Sequence, residues 1–160
     1  MKDQEITQVI KAWETQNQAI TDIFNKYEDS YYSNEVAPGR NRAIYLFGHL
    51  IAMSDLLLPM FGVGEQLYPE LENTFISSPD RAVEALPSVA ALKEQWATVN
   101  QALSDHFAEM DRSNWLSRHT RVSEADFEKD PLRNKLTVLI GRTSHLNYHR
   151  GQLAFITPRV

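Results

Sequence analysis

Apolar and polar positions in this chain alternate with a helical period. Over residues 3–27, Ile6, Ile10, Trp13, Ile20, Phe24 and Tyr27 recur at helical spacing, while Lys11, Glu14, Asp22 and Lys26 occupy other faces. The pattern predicts an amphipathic helix with one wet side. A second helix is predicted after Ala37-Pro38-Gly39, running to about Met60, where Pro59 and Gly62 mark its end. Between Arg42 and Glu65 its only formal charge is Asp55. A third, over about residues 88–110, carries Leu92, Trp96, Val99, Leu103, His106 and Met110 in a four-and-three stripe suited to packing on other helices. The fourth is predicted to open at Asp130-Pro131, a cap followed by proline at the first helical position, and to run to about Ile156, ahead of Pro158.

No stretch alternates with a period of two between hairpin signals, and there is no internal repeat or low-complexity tract. The expectation is an all-α chain, a four-helix bundle forming one domain over residues 1–160. The connections at about 61–87, with a short helix expected from Ser78-Pro79, and at about 111–129 are long for a bundle. They would lid one end or let neighbouring helices run parallel.

Composition narrows the function classes. With 160 residues, 42% of them hydrophobic, the chain has the size of one globular domain and can enclose a sizeable core. Its net charge of −5, without a block of Lys or Arg, removes the electrostatic footprint of a nucleic-acid binder. There is no cysteine, so disulfides, thiolate metal sites and a cysteine nucleophile are excluded, and a metal must use N and O ligands. An intracellular, cytoplasmic setting fits, and MKDQEITQVI has acids and glutamines where a targeting leader would be basic and then apolar. The nearest approach to a membrane span, AIYLFGHLIAMSDLLLPMFGVG at 43–64, contains His49, Ser54, Asp55, Pro59 and three glycines. Such groups are costly in lipid, so it reads as a buried helix of a soluble protein with no membrane partner.

The chemistry concentrates in SHLNYHRGQL, residues 144–153. On a helix His145 and His149 point within about 40° of each other, with Val138, Arg142, Gln152 and Ile156 on or beside that direction. The leucines Leu132, Leu136, Leu139, Leu146 and Leu153 form a seam about 110° away. Gly151 weakens a helix and makes sense where another backbone approaches closely. Two histidines one turn apart can supply two ligands to one transition metal, or can be two polar side chains at a wet edge. His49 lies in line with Leu46, Met53, Leu56 and Met60 on an apolar face, where an unpaired imidazole is costly. It is either a hydrogen-bonded core histidine or a third ligand, which would complete a facial triad from two helices. His106 reads as a structural histidine at the core edge and His119 as a solvated loop residue. Asn17 interrupts the stripe of the first helix and is left outside the site.

A Gly48-His49-Leu50 on the second helix, with H-x-x-x-H-R-G-Q at 145–152 on the last, resembles the DinB-like family of four-helix metalloproteins, which includes YfiT-type proteins. The resemblance covers the whole chain in helix order and length. It implies an up-down-down-up bundle, frequently a homodimer, with a divalent metal, typically nickel or zinc, held by three histidines that match His49, His145 and His149. It also implies metal-dependent S-transfer from low-molecular-weight thiols such as bacillithiol, mycothiol or glutathione, or metal-dependent isomerisation.

Three neutral imidazoles leave an ion its charge and open positions, the arrangement of a catalytic centre. Thiol activation there needs no protein base, and none is identifiable: Asp55 projects about 120° from His49. The alternatives are a hydrolase using water in the same position, or a non-catalytic metal or small-ligand module. Arg142 and Gln152, one turn either side of the pair, are candidates for a substrate carboxylate and for a ligand hydrogen bond, or for a salt bridge and helix-to-helix packing.

Overall fold

The computed structural model describes residues 3–156; the expected stop at Pro158 lies outside them. The chain is all-α there, with α1 at Gln4–Phe24, α2 at Ala43–Asp55, α3 at Leu57–Phe61, α4 at Val89–Glu109, α5 at Arg112–Trp115, α6 at Glu124–Lys129 and α7 at Lys135–Leu153. The only extended pairings among the described residues are two isolated bridges, Glu35 with Arg42 and Arg118 with Asn134.

The helix starts follow from short polar side chains. Asp3 accepts from the amides of Glu5 and Ile6, and Ser88 Oγ from the amide of Ala91, each satisfying a donor that the first turn leaves free. The buried positions of α1 are Ile6, Trp13, Asn17, Ile20 and Phe24, and those of α4 are Val89, Leu92, Trp96, Val99, Leu103 and Phe107. His106 is half-buried at the core edge, one position from the buried Phe107.

The predicted second helix is divided into α2 and α3 at Leu56. Pro59 has no amide to bond the carbonyl of Asp55 and its ring crowds that carbonyl, so the helix yields there. Gly62 then ends α3 with φ +68°, a left-handed conformation that glycine adopts without strain. The apolar window within 43–61 is 78% buried by the rest of the chain, which marks it as a core helix.

Asp130-Pro131 does not open the last helix. Asp130 closes α6 and accepts from the amide of Leu132, and α7 begins four residues later, capped by Asn134 Oδ1 on the amide of Thr137 at 2.9 Å. Leu132 therefore sits outside the helix and is 71% exposed, whereas Leu139, Leu146 and Leu153 are buried. The short helix expected at Ser78-Pro79 is absent. A π-helical turn at Asn73–Ser77 takes its place, and the Ser78 carbonyl accepts from the Tyr45 hydroxyl at 2.6 Å.

Each long helix packs on two others: α1 on α7 and more loosely on α4, and α2 on α4 and more loosely on α7. One continuous core joins them, with Phe24 stacked on Phe47 at 3.8 Å between ring centroids. Two edges are thus loosely closed, α1 against α4 and α2 against α7. The histidines lie on the second.

Candidate metal centre

Helix α2 is buried at eleven of its thirteen positions, and His49 and Met53 are the two that are half-buried. His49 thus stands at a gap in an otherwise enclosed face, opposite α7. His145 and His149, one turn apart on α7, face the same gap. Nε2 of His145 lies 3.2 Å from Nε2 of His49 and 3.0 Å from Nε2 of His149. Donors about 2.1 Å from a shared ion are about 3.0 Å apart at a right angle and about 3.4 Å apart in a tetrahedron, so these separations fit one metal. The three residues form a cluster able to hold a metal ion.

Proton placement supports the same reading. Nδ1 of His49 is 2.8 Å from the Phe75 carbonyl, which only accepts, so the ring must donate from Nδ1 and its neutral Nε2 is bare. Nδ1 of His149 is 2.7 Å from Gln152 Oε1, and the Gln152 amide nitrogen donates to the Tyr148 hydroxyl, which leaves Nε2 of His149 bare as well. Two lone pairs therefore converge on His145 Nε2, and His145 Nδ1 is buried with no hydrogen-bond partner among the described residues. A proton on His145 Nε2 can satisfy one neighbour well; a cation at the convergence point satisfies all three rings.

Burial pushes the pKa of each of these imidazoles below its ordinary value. For His145, burial acts with the charges of His149, Arg142 and His49 to bring it down to about 3. Burial lowers His49, with a smaller opposing effect of the Phe75 carbonyl, and lowers His149 against the Gln152 bond. The rings are held in the neutral form that metals require.

Gly48 was the signal the sequence held but did not declare. A Cβ there would lie 2.3 Å from the Phe75 ring, so glycine lets Phe75 pack directly on α2 and bring its carbonyl to His49. Gly151, expected at a close approach, has no atom within 4 Å of a built Cβ and is exposed. Gln152 turns toward His149 rather than outward to a ligand. Arg142 is half-buried, its enclosed Nε has no partner among the described residues, and burial together with the Arg121 charge lowers its pKa to about 10.

The remaining candidates fall elsewhere. Asp55 is fully buried and accepts from the amides of Leu67 and Tyr68 at 2.9 and 2.8 Å, so its role is to hold the following loop. His119 is half-buried, with Nδ1 enclosed and unpartnered, rather than solvated. Asn17 lines a separate cavity of about 450 Å³ between α1 and α4, with Trp13, Thr21, Phe47, Trp96 and Asn100. Compared with protein-family models and with curated protein sequences, the chain matches none.

Proposed function

We propose that this chain is a divalent-metal protein of the DinB-like type, its long helices arranged as an up-down-down-up bundle, whose centre activates a low-molecular-weight thiol for transfer to an electrophilic small molecule. The observation that carries the reading is the convergence of three imidazole Nε2 atoms, two of them bared by hydrogen bonds at Nδ1. Nickel or zinc suits neutral nitrogen donors, and either would supply Lewis acidity that lowers the pKa of a thiol reaching it.

The chain's own residues do the rest. His49, His145 and His149 present donors, while the Phe75 carbonyl and Gln152 fix two of the rings. The thiol comes from a small molecule, because the chain has no cysteine. Asp55 is engaged with backbone amides and is not free as a base, and activating a thiol at a metal calls for none. We also propose a cytoplasmic homodimer. Ile140, Tyr148 and Phe155 on and just beyond α7 are 48, 63 and 74% exposed, and a second copy would cover them.

The test is thermal unfolding of wild type and His49→Ala, each metal-free and nickel- or zinc-loaded, with thiol consumption measured against an aryl chloride. Sulfur bonds the ring carbon, chloride leaves and the thiol proton goes to solvent. Wild type should bind about one ion per chain, gain melting temperature from it and consume thiol; His49→Ala should lose most of that gain. An undiminished gain on a lowered baseline would make His49 a core histidine and sink the triad. Metal binding without thiol consumption would sink the transferase reading alone.

A further inference from the structure

Among the described residues, no carboxylate neutralises the charge of Arg142, which lies beside the three histidines. It precedes His145 by three residues on α7, which makes the two side chains neighbours on one face, with Cβ atoms about 5 to 6 Å apart. Its Nε is buried without a hydrogen bond, and among the described residues no carboxylate pairs with it. On α7 it points within about 20° of His149 and about 60° of His145, the side of the helix that faces the centre.

The loop between α5 and α6 adds to this field. The Thr120 amide donates to the Met60 carbonyl at 2.9 Å, and the Lys135 amide to the Ser117 carbonyl at 3.1 Å, so the loop is fastened to both the end of α3 and the start of α7. Arg121 on this loop is close enough to act on Arg142, and Arg121 and Arg133 both act on His119. Among the described residues neither arginine forms an ion pair, whereas Arg118 in the same loop is paired with Glu124.

A half-buried guanidinium with an enclosed, unpartnered Nε and no counter-charge is costly, and a divalent ion on the histidines would add positive charge beside it. An anion held between them relieves both. We propose that Arg142 forms an oxyanion subsite beside the three-histidine centre, and that the small molecule acting there carries a carboxylate or comparable oxyanion a short chain away from its thiol. The guanidinium fork takes both oxygens of such a group through two N–H donors. This narrows the substrate class and rests on the thiol reading above.

The test is calorimetric titration of cobalt-loaded protein with 3-mercaptopropionate and with 2-mercaptoethanol, thiols of similar length of which one carries a carboxylate. Wild type should favour the carboxylate by about tenfold or more, the worth of a charge-assisted pair. Arg142→Gln should bring that ratio near one, and Arg142→Lys, a point charge without the fork, should retain part of it. Because the ratio is taken within each variant, losses common to both thiols cancel. Added salt should narrow the wild-type ratio, a reading that needs no variant to fold. A wild-type ratio near one, a ratio insensitive to salt, or an unchanged ratio in Arg142→Gln overturns the subsite alone. Failure of both thiols to bind overturns the thiol reading and the subsite with it.

Discussion

The carbonyl oxygen of Phe75 sits 2.8 Å from Nδ1 of His49, joining residues 26 positions apart. The bond depends on Gly48, whose missing side chain leaves room for the Phe75 ring, itself fully buried. Gly48→Ala must push that ring away. We expect a loss of about 1 to 3 kcal/mol from overpacking and a fall of about 10- to 100-fold in metal affinity as His49 loses its orienting partner. Denaturant unfolding and a competition titration with a coloured chelator measure the two. A stable variant with wild-type metal affinity would show that the carbonyl does not set the ring.

Gln152 performs the corresponding task for His149 from one turn along α7, with Oε1 at 2.7 Å. Gln152→Leu keeps much of the volume and removes the acceptor, so metal affinity should fall about tenfold or more. Gln152→Glu strengthens the acceptor and makes the ring a better donor, so affinity should recover or exceed wild type. Equal affinities across all three proteins would make this hydrogen bond irrelevant to the centre.

Asp80 carries the clearest acid dependence of stability. It accepts from the backbone amide of Arg42 at 2.8 Å and from its guanidinium at 2.7 Å, at the entry to α2. Burial alone would raise its pKa, but these bonds and the Arg42 charge outweigh it and hold the carboxyl below its ordinary value. A carboxyl lowered on folding contributes fully above the ordinary carboxylate range and loses that contribution as pH falls through the folded pKa. Asp80→Asn should therefore cost about 1 to 3 kcal/mol at neutral pH, with the difference from wild type shrinking below about pH 4. Urea unfolding from pH 7 to 3 checks this; a difference independent of pH would rule out the charged pair as its source.

Asp55 should separate stability from metal binding. Burial raises its pKa against the two amide bonds that lower it, and Asp55→Ala would leave both amides without an acceptor. We expect a loss of about 2 to 4 kcal/mol and metal affinity within about threefold of wild type, read by unfolding and competition titration. A large loss of affinity in the folded variant would place Asp55 at the centre after all.

Much of this protein is local, and local physics is what a chain states openly. The capping side chains of Asp3 and Ser88, the three-and-four spacing of the buried residues in α1 and α4, and the stop at Gly62 all act within a few residues, so the helices and the all-α class could be read directly. The pairing of His145 with His149 is equally local, a consequence of 3.6 residues per turn. The start of α7 is not legible in the sequence because Asp130-Pro131 and Asn134 are both competent caps. Tertiary contacts chose between them, with the Lys135 amide held by Ser117.

The rest required the third dimension. That His49 meets His145 across 96 residues, that Gly48 and not Gly151 marks the close approach, and that Asn17 faces the α1–α4 cavity rather than the histidines depend on which helices become neighbours. Wheel angles place Arg142 and Gln152 beside the pair but cannot say that Gln152 finds a partner in His149 while Arg142 Nε finds none among the described residues. The long helices and the histidine donors were legible in the chain, because period and capping act along it. The tautomers and the unpaired charge of Arg142 came from the fold, because hydrogen bonds and fields act through space.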